Sequence, residues 1–196
     1  HIFPDKPETA DTSKPPVLEV KNLSWTNRLK DISLSVRPGE VVGLGGLDGQ
    51  GQRELLLAMF GVLRGVTGEV RIDGRPTSIT SPRQAKDRKI GMALIPEDRK
   101  TEGLMLPMSV RDNLSFAALD NLSRGGVIDR AEERQKIEEM IKLLAIRTAG
   151  TDIPVGALSG GNQQKVVIAK WLMNGPRIIL LNDPTRGIDV GTKQEM

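Results

Sequence analysis

The chain has 196 residues, 28 Lys and Arg against 25 Asp and Glu, a formal net charge of +3 and 38% apolar side chains. That length supports one sizeable core, and a basic excess this mild, with no aromatic interleaving even around Lys86, Arg88, Lys89, Arg99 and Lys100, argues against a nucleic-acid binder. There is no cysteine, which excludes a disulfide framework and a thiolate metal site, and no run reaches the roughly 18 apolar residues that span a bilayer.

Residues 1–16 hold four prolines among polar side chains and read as a linker with no reason to fold. Apolar and polar residues alternate in Val17–Val20 and Ile32–Val36, as strands require, and Pro38-Gly39 forms a turn. Glu40–Gly45 then reads as a central strand, followed by the loop Gly46-Leu-Asp-Gly49-Gln-Gly51-Gln52-Arg53 and a helix over Glu54–Phe60. The loop has the glycine spacing of a G-x-x-x-x-G-K-[ST] phosphate loop, and strand, loop and helix come in the order that motif needs. Gly68–Gly74 reads as a strand ending in an Asp-Gly turn.

A helical subdomain is expected over about 105–158. Ser109 with Asp112, and Asp129 with Glu132, look like capping boxes opening two helices between Ser109 and Ala149. In the second helix Ile137, Met140, Ile141 and Leu144 recur at helical spacing, with Glu132, Glu133, Arg134 and Lys136 facing outward. Met105, Leu106, Pro107 and Met108 form a candidate contact surface, because methionine adapts to a partner.

Ser159-Gly160-Gly161 follows, expected to turn into a helix from about Asn162 through Val166–Met173. A side-chain-free turn lets main-chain N–H groups approach an anion, and the helix adds its partial positive charge. Ile178–Leu181 is a continuous apolar run that suits a central parallel strand covered on both faces. Asn182 and Asp183 stand at its carboxyl end, where open α/β sheets bind ligands.

From Val17 onward, the phosphate loop, PEDRKTEGLMLPMSVRDNLSF at Pro96–Phe116, LSGGNQQK at Leu158–Lys165 and DPTRGIDVG at Asp183–Gly191 resemble the ATP-binding subunits of ABC transporters. The likeness is to the second nucleotide-binding domain of the duplicated ATPases of bacterial ribose, xylose and galactose importers. It implies an α/β fold, a P-loop NTPase-type ABC ATPase domain with a mixed sheet and a helical insert, incomplete at its C-terminal end. The family pattern would continue past Met196 with a helix, a strand and a loop carrying a histidine that contacts the γ-phosphate.

The implied cofactors are ATP and Mg²⁺. The implied partners are a second ABC ATPase domain, a membrane permease subunit and, indirectly, a periplasmic sugar-binding protein, at the cytoplasmic face of the inner membrane and with no nucleic acid. Gly46, Gly49 and Gly51 would cradle phosphate. Trp25 would stack on adenine or serve as a partly buried structural residue. Ser159, Gly160, Gly161 and Asn162 would form the signature turn that faces the partner domain's nucleotide, and Asp189 would be the residue that communicates between paired sites, unless it caps a turn.

Several positions depart from the pattern. Gln52 stands where the family has lysine and Arg53 where it has a hydroxyl that touches Mg²⁺; an amide lacks the charge, and a guanidinium has no acceptor. Asn182 replaces a metal-holding aspartate. Asp183 replaces the glutamate that positions the attacking water, one methylene shorter. Glu97, in the place of a glutamine that touches metal or water, is a candidate for metal binding or for bracing the loop near Arg99 and Lys100. The reading is therefore a domain that donates its signature turn to its partner's site while its own phosphate loop is degenerate. Its rivals are a soluble ATPase of the same superfamily in translation or DNA repair, and a regulatory domain without hydrolysis.

Overall fold

Strand pairing in the first part of the chain follows the alternation of the sequence. β1 (Leu18–Trp25) lies between β2 (Leu29–Val36) and β3 (Thr67–Ile72), antiparallel to both, with Leu18 opposite Val36 on one side and Ile72 on the other. β4 (Arg75–Pro76) extends β3 through the expected Asp73-Gly74 turn, whose residues both take positive φ, 50° and 75°. Leu18, Val20, Leu23, Leu29 and Ile72 are buried. Helix α1 (Gln52–Met59) contributes buried Leu55, Leu56, Ala58 and Met59, and a short α2 (Pro82–Lys86) follows. The computed structural model describes residues 13–47 and 49–188, which fall into two units, His1–Ala85 and Lys86–Met196.

The strand expected at Glu40–Gly45 does not form. The Pro38-Gly39 turn closes with Glu40 N–H donating to the Arg37 carbonyl at 3.0 Å, and the Glu40 carboxylate accepts the Arg37 N–H at 2.7 Å. Residues 41–47 have no regular structure, and Val41 and Leu47 are 87% and 74% exposed. A strand exists through its ladder partners, and among the described residues the apolar ones here pair with none.

In the second unit β5 (Met92–Ile95) pairs in parallel with β8 (Ile178–Leu181), Met92 opposite Ile178. β5 is buried throughout, whereas β8 alternates, with Ile179 and Leu181 44% and 51% exposed. The expectation of two covered faces thus fails for β8: an apolar run permits double coverage without supplying the second layer.

A π-helical turn spans Arg99–Gly103, followed by α3 (Val110–Ser115), a 3₁₀ turn, α4 (Leu119–Leu122), a hairpin of β6 (Ser123–Arg124) and β7 (Val127–Ile128), then α5 (Arg130–Leu143) and α6 (Gly160–Leu172). Both N-caps form, Ser109 accepting the Asp112 N–H and Asp129 those of Ala131 and Glu132, but the second expected box is not closed, because the Asp129 N–H donates to the Leu122 carbonyl instead. The hairpin interrupts what the sequence reading assigns to helix. Its Gly125 and Gly126 take φ 58° and 83°, and a Gly-Gly pair between short polar-apolar segments was the signal for it.

Val110, Leu114, Leu122, Ile137, Val155, Val166 and Val167 belong to one buried cluster, against which Met140, Ile141 and Leu144 pack. Each fully buried aliphatic side chain contributes about 1.5–3 kcal/mol. Glu133, expected outward, is 3% exposed and accepts from Arg130 at 2.7 Å; burial of its carboxylate is tolerated because that charge is paired. The candidate contact surface divides. Met108 is exposed, Leu106 packs on the core, and the buried Asn113 amide donates to the Met105, Met108 and Ser109 carbonyls while its oxygen accepts the Met105 N–H.

Candidate functional site

The phosphate-type loop of the first unit is built around its own glutamines. Gly49 and Gly51 take φ 78° and 106°, a region costly for any side chain, and Gly51 caps α1 without a side-chain hydrogen bond. A Cβ on Gly51 would lie 3.0 Å from the Arg28 carbonyl and 3.1 Å from Leu29. The Arg28 guanidinium donates to Glu54 at 2.7 Å, and this bond holds the Glu54 carboxyl below the usual range. The start of α1 is thereby fixed to the β1–β2 turn.

Within the loop the Gln52 amide donates to the Leu47 carbonyl at 3.2 Å, and the Leu47 N–H donates to Gln50 Oε1 at 3.1 Å. A Cβ on Gly46 would lie 2.2 Å from Gln52 Nε2. The Gln52 side chain therefore folds back against the loop and directs one of its two amide donors inward. Arg53 is exposed and has no acceptor atom. Trp25 is half-buried, and its indole N–H donates to the Arg64 carbonyl at 2.8 Å.

In the second unit the glycine turn is differently made. Helix α6 begins at Gly160, two residues before the expected start, because Ser159 is the cap: its hydroxyl accepts the Asn162 N–H at 3.4 Å and the Asn162 amide at 2.9 Å. Asn162 Oδ1 accepts the Arg147 N–H at 2.7 Å, so this side chain is committed to bracing the turn. The N–H groups of Gly160 and Gly161, at the first two helical positions, find no acceptor among the described residues. They carry the partial positive charge of a 13-residue helix.

At the end of β8, the Asn182 N–H continues the ladder to the Ile95 carbonyl at 3.0 Å, and its side chain is half-buried. Asp183 is exposed with φ 38°, a strained conformation for a residue with a side chain. The Arg186 N–H donates to the Asp183 carbonyl at 3.1 Å, folding the loop, and the Arg186 guanidinium pairs with Glu97. Asp189 lies outside the described residues.

Glu97 thus pairs with the loop after β8, a different segment from the one near Arg99 and Lys100 that it was expected to brace. The donor set does not fit Mg²⁺: among the described residues no three His, Cys, Asp or Glu side chains cluster, Asn182 offers a neutral amide, and Glu97 is engaged by a guanidinium. Sequence reasoning missed the role of Arg99, whose guanidinium reaches both Gly160 and the Asp183–Ile188 loop.

A capped, open glycine turn on a helix, a strand ending in a polar pair and a glycine loop opening α1 together define an ATP-binding-cassette domain. A family model of ABC transporters matches residues 29–186, and the chain belongs to that family. Among its relatives is the ribose import ATP-binding protein RbsA 1 of Mesorhizobium japonicum, 75% identical over 196 residues, which are all of this chain and 38% of that protein. The ribose import ATP-binding protein RbsA of Bacillus subtilis is 47% identical over 180 residues, 92% of this chain and 36% of that protein. The chain therefore spans well under half the length of these relatives.

Among solved structures, a dimeric ATP-binding cassette in a post-hydrolysis state bound to ADP and Pi matches with a TM-score of 0.74 and 26% identity, over 91% of this chain and 78% of that one. A nucleotide-free cassette from an ABC transporter shares the fold, with a TM-score of 0.76 at 20% identity over 92% of this chain and 74% of that one. No helix among the described residues is long and apolar enough to cross a membrane.

Proposed function

We propose that this chain is the second ATPase domain of a bacterial ribose-type sugar importer, and that it donates the Ser159–Gly161 turn to a nucleotide held by the phosphate loop of a companion domain. Its own phosphate loop is degenerate. The carrying observation is the difference between the two glycine turns: the Gln52 side chain bonds back to the Leu47 carbonyl, while the N–H groups of Gly160 and Gly161 have no acceptor among the described residues. The names of the relatives support ribose as cargo class, and their greater length leaves room for the companion domain on the same polypeptide. The likeness of the Pro96–Phe116 segment is what supports the second half. A permease, a periplasmic sugar-binding protein and a place at the cytoplasmic membrane face follow from this reading.

In such a site this chain's residues bind and orient; they do not carry the proton or the metal. Two main-chain N–H groups and a helix terminus stabilise charge on a terminal phosphate, and donors fixed in advance need no reorganisation as that charge develops. The test uses the full-length protein reconstituted with its permease. Ser159→Asp keeps a good helix cap but puts a carboxylate where phosphate must approach, and ATP turnover should fall at least on the order of 10²-fold. Replacing the lysine of the companion domain's phosphate loop should do the same. Unreduced hydrolysis in either variant would overturn the division of labour.

A further inference from the structure

Arg99 opens the π-helical turn, a rare element that tends to occur at functional sites. Asp98 sets its entry by accepting the N–H groups of Lys100 and Thr101 at 2.8 and 3.3 Å. From there the guanidinium reaches two segments at once. Nη1 donates to the Arg186 carbonyl at 3.2 Å. A Cβ on Gly160 would lie 2.8 Å from Nη2, and one on Gly187 3.5 Å from Nη1. The planar head thus fills the space between the signature turn and the loop after β8, and the missing side chain at Gly160 makes room for it.

Charge does not explain an arginine here. Arg99 forms no salt bridge among the described residues and feels only the nearby charge of Asp98, its Nε is buried without an acceptor, and a cation beside a helix N-terminus is unfavourable. Shape and the hydrogen bond to Arg186 remain. The far end of the π-helical turn is tied to the same helix: the Lys170 ammonium donates to the Gly103 carbonyl, and a Cβ on Gly103 would lie 2.9 Å from Val167. On the loop side, Glu97 holds the Arg186 side chain while Arg99 holds its carbonyl.

We propose that Arg99 is a positioning residue that locks the Asp183–Ile188 loop in register with the Ser159–Gly161 turn, so that the turn presents its N–H groups to a terminal phosphate at one fixed angle. This inference rests on the signature reading above. A planar donor is what the role requires; a lysine, with its charge on a single compact head, cannot bridge the two segments.

The experiment measures ATP hydrolysis against MgATP concentration in the full-length protein reconstituted with its permease, with thermal unfolding as a check on each variant. Arg99→Ala should lower kcat on the order of 10²-fold, as expected for a small misplacement of a catalytic segment, with KM unchanged. Arg99→Gln, planar and uncharged, should retain more kcat than Arg99→Lys. If Lys outperforms Gln, or KM rises, Arg99 acts as a charge on the phosphate and the inference is wrong. Unchanged kcat in Arg99→Ala also overturns it, as does loss of fold in all three variants, which would make the role purely structural. Ser159→Asp separates the two readings: activity lost there but kept in the Arg99 variants sinks this inference alone, whereas activity kept in Ser159→Asp sinks the signature reading itself.

Discussion

Two glycine-rich turns in this protein open helices, and the side chains around them are used differently. At Gly46–Gly51 the loop turns inward: Gln52 and Gln50 bond to Leu47, and Gly51 caps α1 with no side chain to help. At Ser159–Gly161 a hydroxyl cap, the Asn162 brace and the Arg99 wedge hold the turn from outside, which leaves two main-chain donors unspent. Glycine supplies room in both. What neighbouring side chains do with that room differs between the two.

The largest expected effect lies in the platform under the signature turn. Leu114, buried in the cluster that includes Val166 and Val167 of α6, should cost about 2–5 kcal/mol on truncation in Leu114→Ala. Denaturant unfolding followed by Trp171 fluorescence in a Trp25→Phe background reads it; a loss below 1 kcal/mol would mean that α6 is not held by this core.

Next is a pH effect on the same helix. Burial pushes Lys170 down from the usual ammonium range, 10.5, to about 8. Below about pH 8 the native state carries a buried cation that the unfolded chain would hydrate, and the penalty is fully present. Between about 8 and 10.5 the native amine has lost its proton while the unfolded one keeps it, so stability rises with pH. The rise should total at most about 3 kcal/mol and disappear in Lys170→Met; a flat profile in the parent protein would contradict it.

A smaller effect sharpens the contrast from the other side. Gln52→Lys removes the bond to Leu47 and restores a cation to the phosphate loop. Calorimetry should then show MgATP binding to the chain tightened about tenfold, roughly 1.4 kcal/mol. Unaltered affinity would show that the loop is closed for reasons beyond Gln52. Smallest of the four, Ser159→Ala should destabilise the second unit by about 1 kcal/mol, with Ser159→Asn nearly neutral; equal losses in both would deny Ser159 its capping role.

Much of this arrangement is legible in the residues. Ser109 and Asp129 announce their helices because a capping residue acts within one turn of chain, and the Asp73-Gly74 turn follows from local conformation. The failures share a cause. Val41, Val42 and Leu44 read as a buried strand but are exposed, and Ile179 and Leu181 read as covered on both sides but lie open; apolar runs record a preference for burial, and partners distant in sequence fulfil it or do not. Glu133 reads as a surface charge and is buried beside Arg130. Arg99 was legible as part of a basic stretch and of the Pro96–Phe116 segment but not by its contacts, since its neighbours at Gly160 and Arg186 are 61 and 87 positions away.

By itself the sequence determined the family, the caps and the two glycine turns, because each is a matter of residue type at short spacing. Only the tertiary structure decided that Gln52 bonds back to Leu47 while Asn162 and Arg99 lie against the other turn. Those outcomes depend on which side chain reaches a given volume first, and that is settled by packing across the chain.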